Sequence, residues 1–215
     1  MLLLGIMLAI PLIASIEDQR LRLPPPATVD DNSDCSDPVV GVWLGQHYNP
    51  RSISWQKYRL HIRRVSPGST ALVGEVRVLY WTGAASLVVP PADCQGVGLS
   101  AEILQNATGT VVNNFLSFGG NDWRAGQVFC GSRGSVAYNP DHFQGLINVG
   151  LQEFQSVNND GGTAVNEPVV FRRIECAQRT PQPNVTVVLP TTEPLRTHGQ
   201  RRRGLSAIFN CSRQE

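Results

Sequence analysis

Between Tyr58 and Arg63 the chain alternates without a break, with Tyr58, Leu60 and Ile62 on one side and Arg59, His61 and Arg63 on the other. A repeat of two puts successive side chains on opposite faces of a strand, so this segment belongs to a sheet with one dry and one wet face. Ser66-Pro67-Gly68-Ser69 is a turn signal and Leu72–Trp81 a returning apolar run, which predicts a hairpin over 58–81. Val39–Gln46 opens the patterned region. Further strands are predicted at Leu87–Val89, Gly98–Leu104, Thr110–Phe118, Val128–Cys130, Phe143–Ile147 and Val169–Ile174, punctuated by Gly, Asn, Asp and Pro. With hardly a helical window among them, the pattern predicts an all-β fold. A single antiparallel β-barrel, or a sandwich, is expected over residues 38–176.

The flanks follow other patterns. Residues 1–16 carry no charge before Glu17, a length that suits a signal peptide better than a span of about 20 apolar residues. Pro11, Ala14 and Ser15 fit cleavage near Ser15; an uncleaved anchor is the alternative. Residues 17–37 contain Pro24-Pro25-Pro26 and an acidic turn-rich run at Asp30–Asp34, and read as a flexible lead-in. Residues 177–215, with two proline-rich stretches and Arg201-Arg202-Arg203, read as a mostly disordered tail.

Composition narrows the function classes. The formal charge of the 215 residues is +1, so no long-range field draws the chain to nucleic acid. Lys57 is the only lysine, a coding bias toward arginine. The five cysteines are Cys35, Cys94, Cys130, Cys176 and Cys211; none forms a CxxC pair or has a His at zinc-ligand spacing. Behind a signal peptide, dispersed cysteines are expected as disulfides, and the address as extracytoplasmic: secreted, periplasmic, or anchored and facing outward. The membrane is met only through the N-terminal segment. If the first and last strands close a barrel, Cys35 and Cys176 lie side by side, leaving Cys94–Cys130 as the second bridge; two other pairings of these four stay open.

Gly41-Val42-Trp43 at the domain start and Arg172-Arg173 near its end resemble the calycin barrels, the lipocalins and avidins. The early hairpin with Leu72-Val73-Gly74-Glu75 is similar to that family as well. The resemblance implies a barrel that opens on a Gly-x-Trp strand, with an arginine of the last strand lying across Trp43.

Candidate sites are few. Asp122-Trp123-Arg124 in a glycine-flanked loop, with Trp55, Trp81, Tyr138 and Tyr48, are candidates to line a barrel mouth that takes a small ligand, peptide or glycan. Ser156, Asn158, Asp160 and Glu167 stand at positions one, three, five and twelve of a calcium-loop spacing, although Pro168 follows where a helix would start. Apart from calcium no cofactor is expected. Asp141 and His142 are adjacent and therefore point to opposite faces of a strand, and no carboxylate pair, nucleophile elbow or phosphate loop is legible. The leading expectation is a non-enzymatic exported barrel. A hydrolase-like enzyme using Asp122, Asp141 or His142 and a membrane-tethered envelope protein are the alternatives. Asn106, Asn184 and Asn210 begin glycosylation sequons. The partner and the oligomeric state are not legible.

Overall fold

The computed structural model describes residues 16–28, 33–90 and 92–178. All but the last residue of the expected signal or anchor segment, and most of the expected tail, lie outside these residues. The described part is built on strands β1 (Ser33–Asp34), β2 (Gly41–Asn49), β3 (Ser54–Arg64), β4 (Ala71–Thr82), β5 (Ser100–Val112), β6 (Phe115–Gly120), β7 (Arg124–Cys130), β8 (His142–Asn148), β9 (Glu153–Asn158), β10 (Glu167–Glu175) and β11 (Ala177–Gln178). Residues 16–22 form a short helix, α1.

Eight antiparallel strands close a barrel in the order β2, β3, β4, β5, β6, β8, β9, β10 and back to β2. The 13-residue β5 is long enough to serve two partners. Its second half pairs with β6 from Ala107↔Gly120 to Val112↔Phe115, and its first half pairs with β7 from Leu104↔Arg124 to Ser100↔Cys130. Closure pairs every barrel strand on both sides over at least part of its length, which removes most of the exposed edge of an open sheet.

The predicted 58–81 hairpin is present as β3–β4, with Tyr58↔Val78 and Leu60↔Val76 in register. Two expectations fail for local reasons. Thr110–Phe118 is not one strand: Asn113 and Asn114 take φ of 48° and 64°, a two-residue turn that asparagine tolerates. Leu87–Val89 is not a strand but part of an apolar loop. Strand β9 was not foreseen, because its polar residues Glu153, Gln155, Ser156 and Asn158 hide the alternation.

Inward-facing residues fill the barrel. Trp43, Tyr58, Phe118, Phe143, Phe154 and Phe171 are fully buried there, and the Phe171 ring meets Phe143 edge-on at 4.9 Å and stacks on Phe154 at 5.6 Å. Burying each such side chain contributes about 1.5–3 kcal/mol. Gly45 is required by this packing, since a Cβ there would lie 2.8 Å from the Phe171 ring. At one end, Arg173 lies over Trp43 with its guanidinium carbon 5.6 Å from the ring centre. Its Nη1 donates to the Asp37 carbonyl at 2.7 Å, and burial pulls its pKa down.

A second apolar cluster lies outside the barrel wall. Trp55 and Trp81 stack at 6.0 Å on the outer face of β3 and β4. Their indoles donate to the carbonyls of Ala84 and Leu87 at 3.2 and 2.9 Å, so the loop carrying Leu87 wraps over them. Cys94–Cys130 ties that loop to the end of β7, with Cα atoms 5.7 Å apart. Cys35–Cys176, Cα atoms 5.0 Å apart, staples the entry and exit of the barrel beside the small β1–β11 sheet, as strand closure predicted.

The lead-in differs from its sequence reading. Gln19 and Ala27 are buried, the Ala27 amide donates to the Arg173 carbonyl at 2.8 Å, and Arg20 pairs with Glu153 at 3.1 Å. The side chains of Gln19 and Arg20 and the backbone of Ala27 are spent on polar contacts with the barrel, a use that proline-rich composition does not disclose.

Candidate functional site

Strand register arranges the outer wall of β2 to β7 as rungs. One runs Leu44↔Arg59↔Arg77↔Leu104↔Arg124, and the next runs Val42↔His61↔Glu75↔Asn106. Arg59 and Arg77 therefore stand directly opposite each other, an arrangement that like charges disfavour. Each leans on an acid instead: Arg59 on Glu175 at 2.6 Å and Arg77 on Glu75 at 3.2 Å, both pairs exposed. Exposed pairs hold their partners by about 0–1 kcal/mol, so these arginines are easily recruited by another anion.

Three adjoining clefts lie on this wall, and Arg77 lines all three. The first, about 150 Å³, is bounded by Glu75, Arg77, Asn106, Asp122, Trp123 and Arg124. The second, about 200 Å³, adds Arg59 and His61. The third, about 470 Å³, has Leu44, Leu79, Phe129 and Ile174 as apolar lining with Lys57 and Arg59 among its charged residues.

The loop between β6 and β7 is set by hydrogen bonds. Asp122 accepts from the backbone and side-chain amides of Asn106 at 3.2 and 3.3 Å, and Thr108 donates to Asn121 at 3.0 Å. Of the residues read as a mouth, Asp122, Trp123 and Arg124 do share a cleft, and Tyr138 touches Trp123 at 6.4 Å with Tyr80 beyond it at 6.3 Å. Trp55, Trp81 and Tyr48 do not join them. They lie on the outer face under the Cys94 loop, because residue 55 is one position out of step with inward-facing Tyr58, Gln56 and Ser54.

A second group of polar residues lies inside. Asp141, almost fully buried, accepts from Gln105 Nε2 at 2.7 Å, Tyr138 Oη at 2.8 Å and Asn158 Nδ2 at 2.7 Å. Burial pushes its carboxyl up to about 6 against the pull of these donors. Burial also pushes the Tyr58 and Tyr138 phenols up. On β2 and β3, His47, Asn49 and Gln56 face inward, and burial holds His47 down to about 4.

No protein-family model matches the chain, and no curated protein or solved structure matches it either.

The other sequence candidates have different employments. Ser156 Oγ donates to the Val169 carbonyl at 2.8 Å inside the β9–β10 hairpin, and Asn158 belongs to the Asp141 network. Asp160 accepts from the amides of Gly162 and Ala164 at 2.6 and 3.0 Å, while Glu167 lies 3.7 Å from His47. Asp160 thus braces the eight-residue loop between β9 and β10, and no cluster of three or more His, Cys, Asp or Glu suited to a metal occurs among the described residues. Asp141 points inward, His142 is exposed and Asp122 stands on the outer wall, so the three do not meet. Arg77, Glu75 and Asn106 were missed as wall residues. The signal was present in the wet-face alternation of Arg59, His61 and Arg63, whose cross-strand partners only the register names.

Proposed function

We propose that this protein is an exported, non-enzymatic binding barrel that makes contact through the outer wall of β2 to β7. The observation that carries the reading is the sharing of Arg77 by three adjoining clefts on one wall. A cleft of about 150 Å³ is below the range of drug-sized pockets, roughly 300–1,000 Å³. It suits one ring or one side chain of an extended glycan or peptide, with Trp123 as the apolar face and Arg77, Arg124 and Asp122 as orienting groups. The two disulfides suit an oxidising, extracytoplasmic setting. The export signal in this reading lies within residues 1–16, with cleavage near Ser15.

The test is a panel of immobilised glycans and peptides probed with the folded protein and with Arg77→Glu. The charge reversal is expected to weaken the strongest interaction at least about tenfold, the worth of a lost charge-assisted contact, without shifting Tm by more than a few degrees. Equal binding by both proteins overturns the wall reading. Sequencing the mature chain checks the address: an intact Met1 in a membrane fraction would favour the tethered alternative.

A further inference from the structure

The seam between the first and last barrel strands is only partly closed. Pairing of β2 with β10 covers Val42–Gly45 against Phe171–Glu175 and stops there, although β2 continues to Asn49 and β10 begins at Glu167. Over the parted stretch, β10 is met from outside by α1. Gln19 Nε2 donates to the Pro168 carbonyl at 2.8 Å, and Gln19 Oε1 accepts from the Val170 amide at 2.9 Å. A side-chain amide thus stands where the amide of a neighbouring strand would. The helix is held by Arg20 on Glu153 at 3.1 Å, which Arg172 grips at 2.7 Å, and by Arg22 over Trp55 at 5.1 Å.

Behind the seam, inside the barrel, lie His47, Asn49 and Gln56, which are 6%, 0% and 6% exposed. His47 and Gln56 are direct cross-strand partners. Each of the three keeps one buried polar atom with no protein partner: His47 Nε2, Asn49 Nδ2 and Gln56 Oε1. Glu167 Oε2 is 3.7 Å from His47 Nε2, beyond hydrogen-bond reach, and its other oxygen is 4.0 Å from Arg51. Buried amide and imidazole groups are costly to leave unmatched, and a native barrel with three side by side calls for an occupant. Asn49 Nδ2 can only donate and Gln56 Oε1 can only accept. Their complement is an uncharged group with one acceptor and one donor, as a carboxamide has; Arg51 already balances Glu167.

We propose that the parted β2–β10 seam is a side entrance to a binding site for a small uncharged molecule of the amide class. His47, Asn49 and Gln56 form the site, and α1 is the strap across it with Gln19 as the latch. The site is distinct from the outer wall and stands or falls without it.

The experiment uses the intact protein and diethyl pyrocarbonate, which modifies accessible neutral imidazoles, with each histidine read by mass spectrometry. His61, exposed on the outer wall, is the internal reference. In the native protein His47, being buried, is expected to react far more slowly than His61. In Gln19→Ala, and in Gln19→Glu, which keeps the size but loses the donor to Pro168, His47 is expected to react about tenfold faster, the fold-change that loss of the latch bonds corresponds to. Acetamide, the probe for the amide class, is expected to slow His47 in both variants and leave His61 unchanged. A His47 rate equal in native protein and in either folded variant, with both disulfides intact, overturns the strap. A rate indifferent to acetamide overturns the site.

Discussion

Asp141 and His47 set opposite pH dependences on the same fold. Asp141 has a folded pKa of about 6 against an ordinary 3.8, so it holds its proton more tightly when folded. Its contribution to stability is complete below about pH 4 and is lost as the pH rises through about 6. His47 has a folded pKa of about 4 against 6.5, so its contribution is present above about pH 6.5 and is lost as the pH falls toward 4. Each shift spans roughly two units, about 3 kcal/mol, and across pH 4–6 the two slopes nearly cancel. Asp141→Asn removes one of them, so the variant is expected to lose about 3 kcal/mol between pH 6.5 and 4, measured by urea unfolding. His47→Gln is expected to do the reverse and gain stability on acidification. Parallel pH profiles for the two variants would refute the assignment. Neither residue announces this in sequence. Asp141 reads as one half of an Asp-His dipeptide, and its burial depends on Gln105 and Asn158, which lie 36 and 17 positions away.

At the scale of elements, alternation was legible wherever a strand had one apolar and one charged face. It gave β4 to within one residue at each end, and the part of β3 where Tyr58, Leu60 and Ile62 repeat without interruption, but not the start of β3 at Ser54. It failed where inward positions are polar, as in β9, and where two strands meet at a turn lacking Gly or Pro. The Asn113–Asn114 turn provides a test of the second failure. At φ of 64°, Asn114→Val is expected to cost about 1–3 kcal/mol, whereas Asn114→Gly holds or raises stability. Thermal unfolding distinguishes them, and equal melting of the two variants would mean the backbone there is not under this constraint. The lead-in shows a third failure. Gln19 carries no periodic signal, yet its amide completes hydrogen bonds that β10 cannot make with β2.

For the whole molecule, barrel class and the Cys35–Cys176 staple followed from pattern, because closing a sheet forces its two ends together. The outer-wall clefts did not follow, since they depend on which residues face across β3, β4 and β5. The staple closes a separation of 141 residues and the second bridge one of 36. Loop-closure entropy assigns them about 5 and about 4 kcal/mol. Cys35→Ser with Cys176→Ser is therefore expected to destabilise more than Cys94→Ser with Cys130→Ser, read as a lower denaturant midpoint. Domains of this kind hold about 5–15 kcal/mol in total, so the first double variant is left marginal at 37 °C. The reverse ranking would show that native packing around Trp55 and Trp81, rather than chain closure, sets the order.

A body whose chain arrives and departs within 5.0 Å at Cys35 and Cys176 is also portable. Grafted at those two points into a surface loop of an unrelated host, the barrel would demand no more room at the junction than a tight turn, though it would leave behind α1 and the Gln19 and Ala27 hydrogen bonds, which precede Cys35. Its outer wall would then be displayed on whatever scaffold carries it.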